Sequence, residues 1–206
     1  MSCCASSPVG IELDTFDNTV ALLQEVRACK ICEPDLALGA KPVLQFTANA
    51  KLLVVGQAPG TRVHETGIPW NDPSGERLRE WMGVDSQTFY DPSQIAIVSM
   101  GFCYPGKGKS GDLPPRKECA QLWRNKIHQC LPNIELTLLI GQYAQQYYLG
   151  KDALTLTQRV SNWRHYLPTY LLLPHPSPRN NIWLRKNSWF EEVVVALRRQ
   201  VSQILL

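Results

Sequence analysis

Residues 170–180 read YLLLPHPSPRN, and they join a short apolar run to a proline-rich loop that holds a single histidine. The apolar run is typical of a buried strand, and it stops abruptly at Pro174. Three prolines and a serine leave His175 little conformational freedom. Because rigid loops at the ends of buried strands present side chains to ligands, His175 is predicted to face a functional site.

A second corner of the same kind lies upstream, where residues 51–60 read KLLVVGQAPG. Gly56 and Gly60 bracket the turn, so backbone N–H groups there can approach a ligand closely. An ordinary glycine-proline turn explains the same residues. The glycine spacing does not fit a Rossmann fingerprint, and Gly108 replaces the Ser or Thr of a Walker loop, which disfavours nucleoside triphosphate binding. Two strand-to-loop corners predict one shared crevice.

The composition of the 206 residues bounds the class of protein. Hydrophobic residues make up 44% and charged residues 19%, which is enough apolar material for one folded domain. We predict a flexible tail at residues 1–10 and a single domain at residues 11–206. The net charge of +3 permits a local phosphate-binding face. No apolar run is long enough for a membrane span and no signal peptide is apparent, so we expect a cytoplasmic, reducing location without disulfides.

Short, uniformly apolar strands alternate with helical segments along the chain. The predicted strands cover residues 52–55, 95–100, 136–140 and 170–173. The predicted helices cover about residues 14–28, 75–82, 115–130 and 188–204, with a further short helix from Gly141. Ser74 is the expected N-cap of the second helix. This alternation predicts an α/β fold, namely a three-layer α/β/α arrangement around a central, mostly parallel four-stranded sheet.

The loop after the first strand carries further candidate residues. Trp70 lies in this loop, and an aromatic ring beside a crevice can stack on a flat ligand. A core tryptophan is the alternative, since the chain has six tryptophans. His64 and Glu65 lie in the same loop and are either site residues or solvated loop residues.

The cysteines form two pairs. Cys29 and Cys32 are a C-x-x-C pair, and Cys103 and Cys119 flank a basic loop. Four cysteines at two places fit a thiolate cage for an iron–sulfur cluster or for zinc, but buried free thiols are an equal alternative.

Basic residues cluster in two loops and interleave with Trp183. They are Lys107, Lys109, Arg116, Lys117, Arg179, Arg185 and Lys186. Such a pattern suits a phosphate backbone, although a solvated charged face would look the same.

Taken together, these motifs resemble the uracil-DNA glycosylase superfamily, from about Cys29 to the C-terminal helix. Residues 56–60 look like its first motif and residues 175–177 like its second. The spacing of the four cysteines, with Tyr104-Pro105-Gly106 after the third, resembles the iron–sulfur, family 4-like class. Residues 178–180 look more like the single-strand-selective class.

The resemblance implies a uracil-DNA glycosylase-like fold and a mechanism in which uracil is flipped out of DNA into the crevice. Trp70 would stack on the base, and His175 would donate a hydrogen bond to the uracil oxygen on which negative charge develops. Arg179 would wedge into the base stack. The remaining motif residues would contact the substrate or assist catalysis, and they are Gln57, Ala58, Pro59, Gly60 and Ser177.

Several residues depart from the family pattern. Gln57 replaces a Glu of the iron–sulfur class and cannot act as a base, so His64 or Glu65 is the expected substitute. Ser99 replaces an Asn that reads the uracil edge, and a hydroxyl cannot supply the paired donor and acceptor of an amide. The loop at 104–116 contains no histidine, which argues against the covalent trapping of product found in one superfamily variant.

The resulting interpretation is a base-excision repair glycosylase that hydrolyses the N-glycosidic bond of uracil or a related damaged base in DNA. The alternative is a DNA- or base-binding module of the same fold without efficient catalysis. A [4Fe–4S] cluster on Cys29, Cys32, Cys103 and Cys119 is the expected cofactor, with zinc or no metal as alternatives. The expected partner is DNA containing the lesion, the expected state is a monomer, and no membrane is involved.

Overall fold

The computed structural model describes residues 10–205, and it describes side chains from residue 18 onward. The strands are β1 (Leu52–Val55), β2 (Ile95–Ile97), β3 (Leu136–Ile140) and β4 (Tyr170–Leu173). The helices are α1 (Gly10–Arg27), α2 (Thr61–Thr66), α3 (Pro73–Met82), α4 (Ser86–Phe89), α5 (Lys117–Gln129), α6 (Gly141–Leu149), α7 (Leu156–Ser161), α8 (Asn181–Lys186) and α9 (Phe190–Leu205). Short 3₁₀ turns lie at Glu33–Asp35, Trp163–Tyr166 and Pro178–Asn180.

The four strands form one parallel sheet in the order β2-β1-β3-β4. Every residue of β1, β2 and β3 is buried, including residues that point to opposite faces, so helices cover both faces of the sheet. The helix pairs α1–α5 and α3–α9 are in contact. An antiparallel bridge from Gln45 to Ile97 covers part of the outer edge of β2. The predicted α/β fold with a four-stranded, mostly parallel sheet is confirmed.

The strand order places β1 between β2 and β3. The connection after β1 therefore runs toward the edge at β2, and the connection after β3 runs toward the opposite edge at β4. The loops that follow β1 and β3 therefore diverge, which opens a crevice at the carboxyl ends of these strands. This crevice is the place where a parallel sheet of this order binds ligands.

Some predicted boundaries were wrong, and local geometry explains most of them. β2 ends at Ile97 rather than residue 100, because the following residues bond irregularly beside the β1 loop, with Met100 N–H donating to the Gly56 carbonyl. Helix α3 is capped by Asp72, which accepts from the N–H of Gly75 over 2.8 Å, and Ser74 lies inside the helix. Helix α5 begins after Pro115, because Arg116 keeps an extended backbone.

Helix α2 lies inside the stretch that was predicted as loop. Gly60 precedes it, and Gly67 ends it in the left-handed conformation with φ of 72°. Helix α9 begins two residues later than predicted, since residues 187–190 form a turn in which Phe190 N–H donates to the Asn187 carbonyl. Helix α1 begins at Gly10, four residues before the predicted start.

Residues 1–9 of the predicted tail lie outside the described residues, as do Cys3 and Cys4. Among residues 10–205, no helix combines the length and the apolar character that a bilayer crossing requires.

Candidate active site

A cavity of about 520 Å³ opens at the carboxyl ends of the strands. Its walls come from the loop after β1, the loop after β2, the start of α6 and the loop after β4. The predicted site residues that line it are Gln57, Ala58, Pro59, Gly60, Trp70, Ser99, His175, Ser177 and Arg179. The topology therefore brings two distant sequence motifs to a single cavity.

His175 enters the cavity half-buried from the loop after β4. The backbone N–H of Ser177 donates to its Nδ1 over 3.2 Å, and Asn180 Nδ2 donates to its carbonyl over 2.7 Å. Because Nδ1 is the acceptor of this hydrogen bond, the neutral imidazole carries its hydrogen on Nε2. Burial lowers the pKa of His175, while the charges of Asp72 and Asp112 oppose that shift. The side chain is thus a neutral hydrogen-bond donor near pH 7.

Trp70 forms an aromatic wall of the same cavity, with 8% of its surface exposed. Its ring centroid lies 5.6 Å from that of His175, and the two rings are inclined by 32°. Its backbone has a positive φ of 55°, which is a strained conformation for a bulky residue.

Two glycines make room for Trp70. A Cβ on Gly56 would lie 2.7 Å from Trp70 Cζ2, and a Cβ on Gly75 would overlap the Trp70 carbonyl oxygen. Arg79 Nη1 donates to that same carbonyl over 3.4 Å. The main chain at Gly56 therefore lies against the ring, and the main chain at Gly75 lies against the backbone of Trp70.

The side chain of Gln57 is used within the protein. Its Nε2 donates to the carbonyl of Leu113 over 3.1 Å, and the backbone carbonyl of Gln57 accepts from Gly101 N–H. Gln57 thereby links the loop after β1 to the loop after β2.

Ser99 lies in the cavity wall beside Gly56, and a Cβ on that glycine would lie 3.4 Å from Ser99 Oγ. Its carbonyl accepts a 2.6 Å hydrogen bond from Arg124 Nη2. The hydroxyl is thus presented from a fixed backbone.

The rim of the cavity contains Arg179. Ser177 Oγ accepts from the N–H of Arg179, and Arg77 Nη1 donates to the Ser177 carbonyl over 3.1 Å. The Arg179 guanidinium lies beside Gly111, whose Cβ would be 3.2 Å from Nη1. The loops after β2 and β4 therefore meet at this rim.

His64 is a predicted site residue that does not line the cavity. It lies in α2, its ring is 6.3 Å from that of Tyr104, and its buried Nδ1 has no hydrogen-bond partner among the described residues. Glu65 is exposed, and its carbonyl accepts from Lys41. Neither side chain is placed to meet a ligand in the cavity.

The sequence reasoning missed several polar cavity residues, among them Asp72, Asp112, Gln142 and Tyr143. Asp72 directly precedes a proline, and an Asp-Pro pair is typical of a helix start, so the sequence could have identified Asp72 as the cap beside Trp70. Gln142 and Tyr143 follow β3, one of the two strands at the switch point, and that position alone was sufficient to predict them. Asp112 lies in a glycine-rich loop without any such pattern.

The four predicted metal-binding cysteines line a second, much smaller cavity, together with Arg116 and Trp123. None of the four is in a disulfide. Burial raises the pKa of Cys103 to about 11 and that of Cys119 to about 12, and it also raises the pKa of Cys32. A bound cation would reverse this preference for the thiol form.

A set of four cysteines around one cavity fits the donors that zinc and [4Fe–4S] clusters use. Within the described residues, no three His, Cys, Asp or Glu side chains are arranged to hold a single metal ion. The thiols share a cavity without converging on one point. Arg116 pairs with Asp35 at 2.7 Å and with Glu118 at 2.6 Å, so it joins the segment of Cys32 to the helix of Cys119.

The sequence matches a known protein family. The model of the uracil DNA glycosylase superfamily matches residues 44–198 of the chain. Among solved structures, the chain is similar to the solution NMR structure of a candidate uracil DNA glycosylase from Methanosarcina acetivorans. The two are 14% identical with a TM-score of 0.46, and the match covers 77% of this chain and 98% of that chain.

Proposed function

The chain belongs to the uracil DNA glycosylase superfamily, and from this premise we propose that it hydrolyses the N-glycosidic bond of uracil in DNA. The observation that carries the proposal is the neutral His175, which holds a hydrogen on Nε2 in a cavity that also contains Trp70. A donor and an aromatic ring in one cavity suit a flat base whose oxygen becomes negative.

The cavity is large enough for one flipped base. Its volume of about 520 Å³ lies in the range of small-molecule sites. A uracil placed there would stack on Trp70, and stacking of a base on an aromatic side chain contributes about 1–3 kcal/mol. Extrusion of the base from DNA supplies the substrate to the cavity.

His175 would stabilise the leaving group. As the bond between uracil N1 and deoxyribose C1′ breaks, the electron pair moves onto the base and its oxygens. A fixed donor aimed at such an oxygen contributes about 3–4 kcal/mol to transition-state stabilisation. The lowered pKa keeps the imidazole neutral, so its donor is oriented without a change of protonation state.

Ser99 and the backbone around Ala58 would read the base. The Ser99 hydroxyl makes one hydrogen bond where an amide would make two, so the discrimination between uracil and cytosine would depend on other groups as well. Gln142 and Tyr143 project from the start of α6 into the same cavity and are available for this role.

Arg179 and neighbouring cations would hold the DNA. Arg179 lies at the cavity rim, and the exposed residues Arg185 and Lys186 follow it in α8. Lys107 and Lys109 belong to the loop that forms the opposite side of the rim. Phosphate contacts of this kind position the duplex or single strand without reading its sequence.

We propose that Cys29, Cys32, Cys103 and Cys119 hold a [4Fe–4S] cluster. The four thiols share a cavity without meeting at one point, and a cluster of several irons would accept ligands spread in this way. Bond hydrolysis needs no electron transfer. The cluster would instead tie the segment before β1 to the loop after β2 and to α5.

A second candidate function is base or DNA binding without efficient catalysis. It is favoured by Gln57, whose amide is committed to Leu113 and which supplies no carboxylate. Binding without base release would support this candidate.

The test is base release from uracil-containing oligonucleotides, single- and double-stranded, by protein purified without oxygen. We expect alkali-sensitive abasic sites with the wild type and a loss of at least about 100-fold with His175→Ala. His165→Ala removes an exposed histidine away from the cavity and serves as the matched control. Wild-type protein that binds the DNA but releases no base would contradict the glycosylase proposal.

A further inference from the structure

We propose that Asp112 is the residue that activates the attacking water, an inference that rests on the proposed glycosylase function. Hydrolysis at C1′ requires a group that orients a water molecule and accepts its proton. The first motif offers no such group, because Gln57 is a neutral amide and Ala58 has no functional group. A carboxylate from another element must supply the role.

The amide of Gln57 positions that element. Its hydrogen bond to the carbonyl of Leu113 attaches the first motif to the residue next to Asp112. Gln57 supplies no carboxylate itself, but its hydrogen bond holds the loop that contains the carboxylate of Asp112.

The loop itself has a defined shape. Leu113 N–H donates to the Gly106 carbonyl over 2.9 Å, Gly108 N–H donates to the Gly111 carbonyl, and Lys107 and Asp112 form an antiparallel bridge. Gly111 has a φ of 150° and lies against Arg179. These contacts fold the loop back over the cavity and place Asp112 at its wall.

The carboxylate of Asp112 is available for a substrate. It lines the cavity, and its Oδ2 would lie 3.7 Å from a Cβ on Gly60. Among residues 18–205, its side chain forms no ion pair and no hydrogen bond. The other carboxylate in the cavity, that of Asp72, is already used as the cap of α3.

Asp112 and His175 approach the cavity from different edges of the sheet. Asp112 follows β2 and His175 follows β4, and these are the two outer strands. A nucleotide bound between the two loops would have its uracil, the leaving group, beside His175 and a water beside Asp112. Displacement needs this separation, because the nucleophile and the leaving group lie on opposite sides of C1′.

The reaction then balances. Asp112 accepts a proton from water as the water oxygen bonds to C1′, and the C1′–N1 bond breaks with its electron pair remaining on uracil. His175 donates a hydrogen bond to the uracil anion. The anion then takes up a proton, and the proton on Asp112 returns to solvent. No cofactor or external reactant other than water takes part.

The experiment compares single-turnover uracil release and DNA affinity for wild type, Asp112→Asn, Asp85→Asn and His175→Ala. Asp85→Asn makes the same change of charge at an exposed residue outside the cavity, and asparagine retains a good N-cap for α4. We expect Asp112→Asn to lower the release rate about 100-fold with DNA affinity unchanged or higher, and Asp85→Asn to change it less than about twofold. Asp112→Ala is also assayed with added formate, which we expect to restore part of the rate.

Three outcomes would contradict the proposed role of Asp112. A rate for Asp112→Asn within about threefold of the wild type, equal losses in the two Asn variants, or no effect of formate would overturn the role of Asp112. In those cases the wild type and His175→Ala still report on the glycosylase proposal independently. Wild-type protein without uracil release would overturn both proposals together.

Discussion

Arg124 donates a hydrogen bond of 2.6 Å to the carbonyl of Ser99, and a second of 3.0 Å to the carbonyl of Val98. Only 1% of Arg124 is exposed, and no carboxylate pairs with it among the described residues. The rings of Tyr147 and Tyr148 lie about 6 Å from its guanidinium carbon. A buried cation thus fixes the backbone that presents Ser99 to the cavity.

Replacing Arg124 with Met should destabilise the protein. The substitution leaves two buried carbonyl oxygens without donors, and an unpaired buried group costs about 1–3 kcal/mol. Thermal unfolding measures the loss. Arg164→Met is the matched control, because Arg164 is exposed and forms an ion pair with Glu192 and a cation–π contact with the ring of Trp163, and we expect it to change stability by less than about 1 kcal/mol. Equal losses in the two variants would contradict the structural role of Arg124.

Stability should fall as the pH drops below about 6.5. Burial lowers the pKa of His175 in the folded protein, so the unfolded chain binds a proton first. Between the two pKa values the unfolded state holds more protons, and stability rises with pH in that window. Below the folded pKa no further stability is lost from this group.

The measurement is the difference in Tm between pH 7.5 and pH 5.5. We expect His175→Gln to show a smaller difference than the wild type, while His165→Gln, which removes an exposed imidazole, behaves as wild type. His128 also has a lowered pKa, caused first by burial and then by Arg124, and it contributes in the same direction. An unchanged difference in His175→Gln would show that His175 does not cause the effect.

Gly56→Ala should destabilise the cavity wall. The new Cβ would lie 2.7 Å from the ring of Trp70, which cannot move away freely because its backbone is fixed. Overpacking of this kind costs about 1–3 kcal/mol. Gly60→Ala tests the same change in the same loop, and its Cβ meets Asp112 only at 3.7 Å. Denaturant unfolding should show a larger loss for Gly56→Ala, and the reverse order would contradict the packing at Trp70.

Cys119→Ser should abolish cluster binding, since it removes one of the four thiols around the small cavity. Iron and zinc analysis of protein purified without oxygen, together with visible absorbance, measures the outcome. Cys130→Ser is the matched control, because Cys130 is a free cysteine outside that cavity. Protein that contains stoichiometric zinc and no iron would exclude the iron–sulfur proposal, and iron retained in Cys119→Ser would exclude this cysteine as a ligand.

The sequence predicted the fold well where burial alone decides structure. The bounds of β1, β3 and β4 were predicted correctly, because continuous apolar runs bounded by loops leave little choice. β2 was predicted too long, since residues 98–100 are apolar or small and bond to the β1 loop without regular strand geometry. The local apolar pattern does not show where the backbone hydrogen bonds pass from strand β1 to the loop that follows it.

The cavity was predicted through the residues adjacent to its two motifs, and the rest depended on tertiary contacts. His64 was expected at the site because of its position in the loop, but the short helix α2 carries it away from the cavity. Asp112 lies eleven residues after Gly101, and the hydrogen bond from Gln57 to the neighbouring Leu113 carbonyl holds its loop at the cavity. Neither outcome follows from sequence spacing.

The left-handed backbone of Trp70 sets the clearance available to a bound base. Its carbonyl contacts Gly75 and accepts a hydrogen bond from Arg79. The backbone of Trp70 is therefore held against the first turns of α3, and this contact limits where the indole can lie. The position of α3 therefore determines how close the indole lies to a base in the cavity. Admitting a thicker or bulkier base requires displacement of α3, and any attempt to broaden the range of bases would begin with the main chain at Gly75.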